Sequence, residues 1–373
     1  MRELKRGVTL SQSTTPGHYF LGTHKRTIRI TTPEEKVIAL ALASGITEMQ
    51  IMQSPDVQPA IAQSLLAELE SEKLINHDVP ALKVSQRFIS KLDNRIKKNS
   101  RPGVDAGIQQ LQRRCAPELM QINWIDGVVD GGVEMLSARQ NYLCEISGDN
   151  RVATILYSLL LASGISQARF TPTTRSTAPL MGDLDMGVAT VRQSDTGTTF
   201  KNHCETMRRE LALFPLNREE NYLDEASTPD LHIHCGDIDP EILSLWMSTG
   251  ETFLMIPAPR ADSAQIGPLV IPGLSPCLRC YQLSVKEQRG VLNHLEFTHD
   301  EEGEYPQVAA HYVAALAAAY ILKFCDATTA SNNPEVTVEF ASLLGSAIIV
   351  DYQRLSQPQV VAIARHPLCG CAF

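Results

Sequence analysis

The chain has 373 residues, 43% hydrophobic and 20% charged, which is the length of two domains and the composition of an ordinary soluble globular protein. Its formal net charge of -9 argues against a general nucleic-acid binder. Nine cysteines in no evident framework fit a reducing compartment. No apolar run follows the basic residues Arg2, Lys5 and Arg6, so no signal peptide is expected. The most apolar segment, Val308 to Leu322, is too short for a bilayer span and is interrupted by His311, so the expected location is the cytoplasm, with no membrane partner.

Residues 1 to 25 are polar and rich in Gly, Ser and Thr, and they read as a flexible arm. Thr27 to Ile30 alternates as a short strand. Thr32-Pro33-Glu34-Glu35 then starts a helix, with Thr as cap, Pro at the first helical position and acids in the first turn. Gly45 stops it. Thr47 caps a second short helix that turns Ile51 and Met52 inward. Ser54-Pro55-Asp56 starts a third, with Ile61, Leu65, Leu66 and Leu69 at helical spacing, and Leu74-Ile75 and Ala81 to Val84 follow as extended runs. Strand, three helices and two strands make the pattern of a winged helix, over residues 26 to 98. A DNA reader needs cations on its third helix, and this one carries Asp56, Glu68, Glu70 and Glu72. The module is therefore expected to bind a peptide as an added strand, or to serve as a packing domain; a DNA-binding regulator is disfavoured by that charge.

The basic run Lys91 to Arg101, read as a solvated linker, ends at Pro102-Gly103, and a second domain is expected over residues 104 to 373. Ala106 to Leu119 can be helical. Tyr142 to Gly148 is a buried-type strand ending in a glycine turn, Val152 to Ser163 an apolar helix, and Ala168 to Thr171 the next strand, which together make a βαβ unit of a parallel sheet. Leu231 to Cys235 reads as a central strand, Ile238 to Ser248 as a helix and Phe253 to Pro257 as another strand. An acidic loop through Asp300 and Glu304 precedes a long apolar helix, Pro306 to Phe324, and Val336 to Phe340, Ala347 to Val350 and Val360 to Ala364 are late strands. His232 and His234 share a strand face and suit the sheet interior better than a ligand set. No basic partner is evident for Cys204 or Cys235, which leaves a catalytic thiol without support.

The most specific chemistry lies near the C-terminal end. Gly267-Pro268-Leu269-Val270-Ile271-Pro272-Gly273-Leu274-Ser275-Pro276-Cys277-Leu278-Arg279-Cys280 is a short strand, a Pro/Gly turn and a Cys-x-x-Cys knuckle; His366-Pro367-Leu368-Cys369-Gly370-Cys371 answers it. Cys277, Cys280, Cys369 and Cys371 can close one tetrahedral tetrathiolate around a structural zinc ion, the alternative being two unrelated thiol pairs.

These two phrases, with the order of the elements from Tyr142 onward, resemble the ThiF/MoeB-like adenylyltransferases of the ubiquitin-activating-enzyme superfamily, over roughly residues 105 to 371. With its winged-helix module the chain looks most like the ThiF-like partners of peptide-cyclising clusters. The resemblance implies an α/β fold in which the module precedes a Rossmann-like domain with a zinc knuckle. It further implies a precursor leader peptide and a YcaO-type cyclodehydratase as partners, and a homodimer is expected. In an active member Gly-x-Gly-Gly-x-Gly follows the first strand; here the matching run is Gly148-Asp149-Asn150-Arg151-Val152-Ala153, with one glycine of the four. No acid stands at Phe170-Thr171-Pro172, where the family holds the ribose. Cys235-Gly236-Asp237 matches the family's magnesium-handling aspartate, although an aspartate before a helix also serves as an N-cap. Asp185-Met186-Gly187 matches another family turn. Gly148, Asn150, Arg151 and Asp237 are thus the residues left to hold ATP and magnesium, and the resemblance implies a scaffold whose nucleotide site has decayed. The alternative is a working adenylyltransferase that activates a carboxylate through Asp237.

Overall fold

The computed structural model describes residues 2–15, 17–55, 57–82, 104–148, 150–171, 191–214, 228–260, 262–289, 305–330 and 344–371. It divides into two compact units: described residues up to 137 lie in the first and those from 138 onward in the second, except Ala330, which groups with the first.

The first unit begins with strands rather than a loose arm. β1 (Arg2–Leu4), β2 (Thr9–Gln12), β3 (Tyr19–Gly22) and β4 (Thr27–Ile30) occupy its start, with β2, β3 and β4 pairing as an antiparallel sheet in that order. The arm reading failed because alternation in Leu10, Tyr19 and Leu21 is thin; these side chains nevertheless reach the unit's apolar core. Three helices follow: α1 (Pro33–Ala43), α2 (Glu48–Met52) and α3 (Pro59–Ser71). Reciprocal capping boxes, Thr32 with Glu35 and Thr47 with Gln50, satisfy the first amides of α1 and α2. The third helix starts later than Ser54, with Gln58 in the cap position and Pro59 at the first turn. Ile28, Ile38, Leu42, Ile51, Leu65, Leu66 and Leu69 form the core between sheet and helices.

β5 (Ile75–His77) pairs antiparallel with β1; of the expected Ala81 to Val84 run, Ala81 and Leu82 are in no strand and the rest lies outside the described residues. The boundary expected at residue 104 also moves. α4 (Val104–Ile122) and α5 (Val133–Arg139) bracket a segment bound to the first unit's strands. The buried Lys5 ammonium reaches across more than a hundred residues to donate to the carbonyls of Asn123 (2.8 Å) and Val128 (2.7 Å). Asp126 pairs with Arg26 and Lys73, and the His77 amide donates to Val129. Contacts so distant in sequence leave no local pattern to read.

The second unit is a twisted sheet in the order β11-β9-β8-β6-β7, made of β6 (Cys144–Ser147), β7 (Arg169–Thr171), β8 (Leu231–Cys235), β9 (Phe253–Ile256) and β11 (Leu269–Val270). β6 to β9 are parallel and β11 is antiparallel to β9. α6 (Arg151–Ala162) crosses from β6 to β7. The chain then returns past α7 (Phe200–Leu211) to lay β8 on the other side of β6, so the direction of winding reverses between β6 and β8. At such a reversal the loops separate and leave a crevice at the strands' C-terminal ends. α8 (Pro240–Thr249) follows, and β10 (Ser263–Ile266), β12 (Ser346–Asp351) and β13 (Gln359–Ala362) form a second, antiparallel sheet. α9 (Leu278–Arg289) carries the second cysteine of the knuckle.

α10 (Gln307–Ala330) is longer than the sequence boundary suggested and is, by length and composition, apolar enough to cross a membrane. Its Ala310, Val313, Ala314, Ala317, Ile321 and Phe324 pack in the core with α6 and the parallel sheet, while Val308, Ala315, Ala319 and Lys323 are exposed, so it is a core helix with one open stripe. The Val336 to Phe340 run, the acidic loop, Asp149 and the Asp185-Met186-Gly187 turn lie outside the described residues.

Candidate functional site

The crevice between β6 and β8 holds the residues matched to a phosphate loop. Gly148 ends β6 with φ +127°, and a Cβ there would run into the carbonyl oxygen of Cys235, so the turn admits only glycine. Asn150 caps α6: its side chain accepts the Ala153 amide at 3.1 Å and takes one of the donors that a bound phosphate would use. Arg151 donates to the Tyr305 carbonyl at 2.9 Å. Gly236, at φ +121°, faces the Asn150 amide from the β8 side, so both glycines and Asn150 belong to one crevice. Asp237 is exposed and is not the cap of α8; Asp239 is, accepting the Glu241 amide.

Below this rim lies a polar layer that sequence reading left largely unassigned. In the register of β6 and β8, Glu145 lies beside His232 and Ser147 beside His234, which puts all four on one sheet face. His234, 2% exposed, donates from Nε2 to the Asp237 carbonyl (3.0 Å), which leaves Nδ1 to accept the Ser147 hydroxyl at 2.8 Å. His232 stacks on Trp246 of α8 at 4.5 Å between centroids. Its two ring nitrogens lie 3.0 Å from a Glu145 carboxylate oxygen and 2.6 Å from one of Glu251. The His232 ring beside Glu145 holds that carboxyl below its ordinary value, assisted by the Thr171 hydroxyl, against the opposing effect of burial. Both histidines are thus sheet-face residues held by protein groups, and among the described residues neither belongs to a group that could hold a metal ion. The parity of Glu145 and Ser147 within a buried strand was the signal for these partners. Burial pushes the Cys204 thiol up to about 12 and that of Cys235 higher still, which removes both as thiolate nucleophiles at neutral pH.

The four cysteines of the two C-terminal phrases do converge. Their sulfur atoms all lie within 4.8 Å of one another, with Cys277 to Cys280 at 3.8 Å, Cys277 to Cys369 at 3.2 Å and Cys280 to Cys371 at 3.3 Å. A tetrahedron with metal–sulfur bonds of about 2.3 Å has edges of roughly 3.8 Å, whereas a disulfide needs about 2.05 Å. The set therefore fits a soft divalent ion, and all nine cysteines are free. Burial acts to raise Cys280, but the amides of His366 and Cys277 and the neighbouring thiols outweigh it and bring that sulfur down to about 7. Burial pushes Cys277 upward. Trp246, Phe253, Met255, Val270 and Ile363 form the apolar ground on which the knuckle sits. With four protein sulfurs and no open position, such a centre pins the tail to the knuckle and offers no place for substrate.

No protein-family model and no curated protein matches the chain. Solved structures do. Escherichia coli MccB in complex with MccA-N7isoASN superposes with a TM-score of 0.59 at 14% identity, covering 100% of this chain and 99% of that one. MccB with AMPCPP and MccA gives 0.61 at 14%, again over 100% and 99%. The chain shares the MccB fold. A heterocyclase in complex with substrate and cofactor matches with a TM-score of 0.57 at 13% identity, over 100% of this chain and 39% of that larger one.

Proposed function

We propose that the chain is a ThiF-like scaffold that binds a precursor peptide through its N-terminal winged-helix module and presents it to a YcaO-type cyclodehydratase, with a nucleotide site that no longer works. The observation that carries the second half is the α6 N-terminus. Asn150 caps the helix with its own side chain, Arg151 is drawn to the Tyr305 carbonyl, and no run of glycines opens the backbone to phosphate. Likeness over the full length of MccB, which has been crystallised with MccA, and over 39% of a heterocyclase supports the peptide half. So does the edge strand β4, whose Ile28 and Ile30 point into the core while Thr27 and Arg29 face out. Exposed Glu68 and Glu70 on α3, and Glu72 at its C-terminal cap, count against DNA.

The structural zinc ion on Cys277, Cys280, Cys369 and Cys371 belongs to this reading, as do the homodimer and the cytoplasmic location. A second reading has one specific observation in its favour: MccB has been crystallised with ATP and with AMPCPP, at the same fold over its full length. On that reading Asp237, exposed at the crevice, handles magnesium, and the chain adenylates a carboxylate. Isothermal titration with ATP and magnesium, followed by pyrophosphate exchange with candidate peptides, separates the two. The scaffold gives neither heat nor exchange, while a leader peptide binds at micromolar concentration in fluorescence anisotropy. Robust exchange that Asp237→Ala abolishes establishes the enzyme instead.

A further inference from the structure

His366 stands at the meeting point of the two cysteine pairs without being a member of either. Its backbone amide donates to the Cys280 sulfur at 3.3 Å, and its carbonyl accepts the Cys369 amide at 3.0 Å. Its ring Nδ1 accepts the Leu368 amide at 3.1 Å, and Nε2 lies 2.9 Å from Glu287, two turns beyond Cys280 on α9. The residue is 9% exposed, whereas Leu368 beside it is 73% exposed. One residue therefore touches the first cysteine pair through its amide, the second through its carbonyl, and the intervening turn through its ring.

We infer that His366 is a positioning residue for the tetrathiolate centre, its imidazole acting as a built-in turn acceptor that sets the chain direction from which Cys369 and Cys371 reach the metal. The inference rests on the metal reading of the four cysteines. A ring nitrogen that accepts the amide two residues on does what the side chain of asparagine or aspartate does in an Asx-turn. The acceptor holds the His366 to Cys369 turn closed before any ion arrives. With the turn preformed, the ion does not have to order it, and partners in the shell around a metal site commonly contribute 10- to 100-fold to affinity. Because Nδ1 accepts, the ring proton sits on Nε2, toward Glu287. Glu287 is itself exposed, so its pairing adds little and the turn bond is the part that matters.

The test is metal affinity of the reduced full-length chain, by competition with a chromophoric chelator for zinc, together with the sulfur-to-cobalt charge-transfer bands after cobalt(II) substitution. His366→Ala is expected to weaken metal binding about 10- to 100-fold and to shift the cobalt bands. His366→Asn, which keeps an acceptor for the Leu368 amide and lacks Nε2, is expected to restore affinity to near that of the parent chain. Glu287→Gln is expected to change it little. Parent-like affinity and spectrum in His366→Ala overturn the inference and leave the metal reading standing, as does equal loss in the Ala and Asn variants. A parent chain that binds neither zinc nor cobalt overturns both. Should His366→Ala fail to fold, the Asn and Gln variants still decide, because a contribution made through Nε2 and Glu287 would weaken both of them together.

Discussion

Lys5 shows how a single buried charge organises a region and what it costs. Its ammonium donates to two carbonyls and lies 5.7 Å from the centroid of Trp124, yet burial and the nearby Arg26 lower its pKa from 10.5 to about 8. The folded chain therefore releases this proton more readily than the unfolded chain, which keeps it to about pH 10.5. Between those values the unfolded state binds more protons, so stability must rise with pH across that window, and below pH 8 the cost of the buried charge is present in full. The expected outcome is a denaturation midpoint that climbs from pH 8 to 10 in the parent chain relative to Lys5→Met, in which this titration is absent. Parallel curves for the two proteins would rule it out. Glu145 works in the opposite sense: its lowered pKa makes the contact with His232 a contribution present above the ordinary carboxylate range and lost as pH falls through the folded value.

At the level of elements, the turn from β6 into α6 is the tightest constraint in the second unit. Gly148 is in a backbone region that side chains avoid, and the Cys235 carbonyl closes the space where a Cβ would go. Gly148→Ala is expected to destabilise the chain by about 1–3 kcal/mol, read as a fall in the midpoint of urea denaturation. A midpoint equal to the parent's would mean that β8 can retreat from the turn. This element was legible from sequence because a buried strand, a glycine and an apolar helix follow one another. Leu231 to Cys235 was legible at its own boundaries, being continuously apolar or half-apolar and bounded by Pro229 and Gly236. β10 was not: Ser263 to Ile266 alternates polar and apolar over four residues only, too short a run to stand out before pairing with β12 is known. The cysteine cluster was legible because metal chemistry fixes its spacing. The Glu145, His232 and Glu251 layer was legible only as the parity of residues within each strand, because the parallel register sets Glu145 beside His232 and Glu251 comes from the loop before β9.

For the whole molecule the consequence is two units with separate supports. Among the described residues, the first has an apolar core between its sheet and helices and the buried Lys5; the second has the core beneath α10 and a smaller one beneath the cysteine cluster. The chain carries two tryptophans, and the division places one in each: Trp124 in the first unit and Trp246 in the second, packed in the cluster that contains Cys277 and Cys280. Each unit thus has its own fluorescence reporter once the other tryptophan is replaced by phenylalanine. Because a thiolate centre binds only the folded arrangement, its ion stabilises that arrangement by mass action. Removing it from fully reduced protein with a strong chelator is expected to lower the unfolding midpoint reported by Trp246 in Trp124→Phe and to leave that reported by Trp124 in Trp246→Phe unchanged. Lower pH should act in the same direction, since protons compete with the metal for the four sulfurs. A Trp246 midpoint indifferent to chelation in protein shown by elemental analysis to carry one zinc per chain would mean that the centre does not support the second unit. A fall shared equally by both reporters would mean that the two units unfold as one.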